Sequence, residues 1–94
     1  MPEQVSGISA TLAERGLRYG SFDGHAEITQ GIKAAITRAP RYDRLTPSQR
    51  EALDMIALKI GRILNGDPNY ADNWHDIAGY ATLVELELTE RQHD

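Results

Sequence analysis

The sequence predicts an all-α fold, a compact bundle of about four helices built around a central antiparallel helical hairpin. Three observations carry this. Apolar residues recur at three- and four-residue steps through most of the chain. Thr46-Pro47-Ser48-Gln49 is a helix start with a capping box and proline at the first helical position. Asn65-Gly66-Asp67-Pro68 then reads as a left-handed helix stop followed at once by a new start.

Ninety-four residues make a single domain with a modest core. Apolar content of 40% and a net charge of −4 describe an ordinary globular chain. With no cysteine, disulfides and thiolate metal sites are excluded. No charged N-terminal segment leads into an apolar run, and the most apolar stretch, Met55 to Leu64, is interrupted by Lys59 and Arg62. No membrane span and a cytoplasmic location are therefore expected. The acidic balance argues against nucleic acid as a partner, because sequence-independent binding relies on a basic face. Small helical domains often gain stability by self-association, so a homo-oligomer is expected.

Residues 1–5 are expected to fray. Ile8 and Leu12, with Leu17 beyond Gly16, predict a short first helix ending near Arg15-Gly16. Leu17 to Gly24, with its glycines, Tyr19 and Phe22, reads as a structured loop. Ile28, Ile32, Ala35, Ile36 and Ala39 give a helix over 25–39 that Pro40 stops. Arg38, Arg41, Arg44 and Arg50 follow; guanidinium forks there could clasp phosphate or simply bond nearby carbonyls. Leu53, Ile56, Ile60 and Ile63 form the buried stripe of the third helix. On the fourth, Tyr70, Trp74, Ile77, Ala81, Val84 and Leu88 repeat at helical spacing, and residues 90–94 form a polar tail.

A tight turn near Asp67 sets Lys59 level with Asp76, and Arg62 level with Asp72 and Asn73. Lys59 and Arg62 share one helix face, as do Asp72 and Asp76, so two cations confront two carboxylates. These charges bind a phosphate with or without a metal, or only each other as Lys59–Asp76 and Arg62–Asp72 salt bridges.

The run KIGRILNGDPNYADNWHDIAGYATLVE, with RYGSF upstream, resembles the MazG-like all-α nucleotide pyrophosphohydrolase superfamily, and within it small phage and prophage members. The resemblance covers roughly residues 12–86. It implies a four-helix core, oligomeric assembly, a nucleotide-phosphate site between helices, and, in the active enzymes, Mg²⁺ on an E-x-x-E pair and an E-x-x-D pair. Here Asp76 matches the final aspartate, but Asn73 stands three residues before it. The acids on the preceding helix, Glu51 and Asp54, lie about 12 and 8 Å along the axis from Lys59, while a Mg²⁺–oxygen bond spans about 2.1 Å. The metal set is thus displaced or gone. The expected function is a phage-type protein that holds a phosphorylated nucleotide or nucleotide-derived signal without hydrolysing it. As an anti-defence sponge in the bacterial host cytoplasm, it would sequester a cyclic or ADP-ribose-derived immune signal. The alternative is a Mg²⁺-dependent pyrophosphohydrolase, with Asp72 and Asp76 as metal ligands and Glu27 or a second subunit completing the set.

The expected ligand-binding residues are Lys59, Arg62, Asp72, Asp76, Tyr19, His25 and Trp74. Tyr19, Phe22 and His25 would form the lip of a base pocket. Trp74 and Tyr70 belong either to the core or to a wall on which a base stacks. His75 faces solvent beside Asp76. His25, His75 and His93 lack zinc spacing. Gly79 suggests close approach of another helix. No phosphate-binding loop, serine elbow or cysteine nucleophile is present.

Overall fold

The computed structural model describes residues 2–93, with side chains over 7–92. Four helices follow one another: α1 (Pro2–Tyr19), α2 (Phe22–Arg38), α3 (Pro47–Asn65) and α4 (Ala71–His93), with a 3₁₀ turn at Tyr42–Arg44. The all-α class is as expected. Helix α3 is the hub, packed by α2 on one side and α4 on another, while α1 reaches α2 and α3 less extensively.

The start of α3 follows from local chemistry. Thr46 Oγ1 accepts from the Gln49 backbone N–H at 3.1 Å, and Gln49 Oε1 accepts from the Thr46 N–H at 2.9 Å. Two otherwise orphaned donors are satisfied by side chains three residues apart. Ser21 caps α2, its Oγ accepting from Gly24 N–H at 3.3 Å, and Arg38 stands in the last turn before Pro40.

The chain differs from expectation around its corners. Helix α1 runs through Gly16 to Tyr19, so the expected loop over 17–24 shrinks to Gly20-Ser21. Tertiary contacts overrule the weak helix preference of Gly16. Asn65 Nδ2 donates to the carbonyls of Tyr19 and Ser21, both at 2.8 Å, and Asp67 N–H donates to Arg18 O at 2.6 Å. The left-handed residue is Gly20, at φ 77°, not Gly66, whose φ is −133°. Gly66 is needed for room: a Cβ there would overlap the Arg18 carbonyl and the Tyr19 backbone. The α1–α2 and α3–α4 corners are therefore interlocked. Helix α4 begins at Ala71 instead of Pro68, because Asp67 Oδ1 accepts from Asn69 N–H at 2.9 Å and holds the chain in a turn. Its helix continues through the expected polar tail to His93; Asp94, like Met1 of the segment expected to fray, lies outside the described residues.

Burial is sparse. Ala52 and Ala57 are the buried apolar side chains among the described residues, beside the polar Thr29, Lys59 and Asn73. Helix α3 meets α2 closely at Gly61, where a Cβ would press on Thr29 Oγ1 and His25 Nδ1.

Candidate functional site

The hairpin register is as expected at one level. Lys59 Nζ lies 2.9 Å from Asp76 Oδ2. Lys59 is only 9% exposed, so its long side chain is spent on crossing to α4. The bond from Lys59 holds the Asp76 carboxyl below the ordinary carboxylate range, with the charges of Lys59, His75 and Arg62 adding to it and partial burial opposing it. His75 is exposed beside it, as expected.

The second expected rung, Arg62–Asp72, is absent. The Arg62 guanidinium carbon stands 4.2 Å from the centroid of the Tyr19 ring. Tyr19 meets Tyr70 edge to face at 6.2 Å, and the Arg18 guanidinium carbon stands 5.0 Å from the centroid of the Tyr70 ring. Asp72 instead accepts a hydrogen bond from the Tyr70 hydroxyl at 2.9 Å, which pushes that phenol's pKa upward. The late start of α4 explains the change, because Asp72 falls on its exposed first turn within reach of Tyr70. Trp74 lies outside the core: it is 55% exposed, and its Nε1–H donates to Pro68 O at 2.9 Å.

Three expected site residues do converge, elsewhere. Tyr19, His25 and Arg62 line a cleft of about 410 Å³ between the end of α1, the start of α2 and one side of α3. Arg15, Gly16 and Leu12 of α1, Gly20, Ser21 and Phe22 at the corner, and Leu58 of α3 complete it. Arg15 brings a second guanidinium. The N-terminal end of α2 opens into the same space, adding the positive end of a helix dipole. Phe22 is almost wholly exposed, a flat apolar surface in a lining that is itself mainly apolar.

The pKa of His25 is lowered from the ordinary imidazole value. Burial lowers its pKa most, the Arg62 and Lys33 charges lower it further, and a backbone contact at Gly61 acts in the opposite sense. Its Nε2 is 3.4 Å from Thr29 Oγ1, and its buried Nδ1 has no hydrogen-bond partner. Sequence reasoning missed Arg15, because a helix expected to end there gave no cue to its direction. The arginines of the connector divide: Arg50 donates to Tyr42 O at 3.4 Å and lies 4.5 Å over the Tyr42 ring, while Arg38, Arg41 and Arg44 are exposed and stand outside the cleft.

The carboxylates do not fit a magnesium centre. Among the described residues no three acids or histidines gather closely enough to hold an ion. Asp76 is engaged by Lys59 and Asp72 by Tyr70, while Glu51 stands on a separate groove with Tyr80 and Glu87. Glu27 is exposed on α2 and does not join them. No described helix is long and apolar enough to cross a membrane.

Residues 8–87 match a protein family described as a domain of unknown function, DUF6378. The chain belongs to this family. No curated protein and no solved structure matches it. Within this DUF6378 chain the matched region takes in the whole cleft and both interlocked corners.

Proposed function

We propose that this protein binds a phosphorylated nucleotide, or a signal derived from one, in the Arg15–Arg62 cleft and holds it without hydrolysis. The observation that carries the reading is that two arginines, Arg15 and Arg62, and the first residues of α2 line one cleft. Guanidinium forks match phosphate oxygens in pairs, and backbone N–H groups at a helix start favour the same charge. Phe22 supplies a face for a base, and His25 offers a polar edge. Asp76 and Asp72 are already engaged by Lys59 and Tyr70, and this favours holding over hydrolysis in this reading. The likeness to small phage proteins extends the proposal to an anti-defence sponge in the bacterial cytoplasm, sequestering a cyclic or ADP-ribose-derived signal. Self-association belongs to the same reading, supported by large apolar side chains left exposed on α1 and α4.

Calorimetry against a panel of linear and cyclic nucleotides and ADP-ribose, in EDTA, tests this. The expected result is saturable binding in EDTA with the ligand recovered intact. Pyrophosphate release that depends on Mg²⁺ would favour the pyrophosphohydrolase instead, and no binding by any member would end the proposal.

A further inference from the structure

Helix α4 is packed on one side only. Among the described residues it meets α3 and no other element, yet apolar residues occur around its whole circumference. Leu83 is 61% and Leu86 54% exposed, and Trp74 and Leu88 are exposed as well. A Cβ placed on Gly79 would meet nothing within 4 Å, so a notch lies open in this outer face. The surface beside it is concave: hollows of about 310 and 420 Å³ run along α4 and share Tyr80 and Leu83.

The area involved fits a second copy of the chain. The protein exposes 7011 Å², whereas a compact monomer of its 10.5 kDa exposes about 5,400 Å². The surplus of about 1,600 Å² is spread over the whole chain, exposed apolar residues of α1 included, and falls within what an obligate homodimer removes from each subunit. The sequence of the outer stripe is also complementary to itself. Antiparallel pairing centred between Thr82 and Leu83 sets Leu86 opposite Gly79 of the partner subunit, and His75 opposite Glu90 of the partner subunit. A knob meets a notch, and an imidazole meets a carboxylate, twice by symmetry.

We infer that α4 pairs antiparallel with α4 of a second copy, Leu86 of each chain filling the gap over Gly79 of the other. This rests on the self-association reading and adds its location. Chain mass is measured by light scattering for the wild type and for Gly79→Leu and Leu86→Glu. Neither position presses on the chain's own interior, so helical circular dichroism should be unchanged. The expected result is a wild-type dimer that both variants convert to monomer. As the chain has no cysteine, Thr82→Cys should form a disulfide-linked dimer on mild oxidation, while Thr37→Cys on exposed α2 should not. A monomeric wild type would overturn self-association itself. A dimer that survives both variants, with no Thr82→Cys link, would leave self-association standing and overturn the α4 pairing.

Discussion

Lys59 and Asn65 show how single side chains set what the molecule can do. Lys59 was a natural candidate for holding phosphate, but it is buried and already paired with Asp76. Removing the aspartate leaves a desolvated ammonium without its partner, whereas replacing both groups with apolar ones of similar size removes the problem. Asp76→Ala should therefore lower the melting temperature, and Lys59→Met combined with Asp76→Leu should recover most of the loss. Equal melting temperatures for wild type and Asp76→Ala would contradict a part for this pairing in stability. Asn65 ties two carbonyls of the α1–α2 corner to the end of α3; Asn65→Ala should cost about 1–3 kcal/mol in urea unfolding. His25 gives a pH signature. Its folded pKa is depressed below the ordinary 6.5, so its contribution is complete above that value and is lost as pH falls through the lowered one. Stability should decline on acidification below pH 6.5, and His25→Gln should flatten that decline. An unchanged slope would show that His25 is not the group titrating.

Among the helices, α3 was the most legible, because a capping box is written within four consecutive residues, Thr46 to Gln49. Thr46→Ala should cost about 1 kcal/mol, measured by the same urea titration. The level of Lys59 with Asp76 was legible too, since a short turn between antiparallel helices leaves little freedom of register. The corner at Gly20-Ser21 was not. Gly16 read locally as a helix end, yet the helix continues because Arg18 and Tyr19 are held by Gly66, Asp67 and Tyr70, residues distant in sequence. Nothing within α1 itself records those partners. The role of Gly79 was half legible: its notch exists, but no helix of the same chain fills it.

The cleft is a property of the assembled molecule, drawn from the end of one helix, the start of the next and the side of a third. Tyr19 and His25 were visible in the sequence beside a glycine-rich stretch, and Arg62 as a cation of the helical hairpin. Their convergence with Arg15 was not, because it depends on α1 running one turn beyond Gly16 and on the corners locking. Lys59 and Asp76 stand outside that cleft, joined to each other. The fold thus separates Arg62 from the Lys59–Asp76 pair, charges that the sequence alone placed together. An equilibrium titration, in EDTA, of the nucleotide that binds the wild type tests that separation most directly, on two double variants. Arg15→Ala with Arg62→Ala should weaken binding by more than about tenfold, and Lys59→Met with Asp76→Leu should leave it within about a factor of three. The reverse pattern, with binding lost in the Lys59 and Asp76 variant and kept in the arginine variant, would contradict the account.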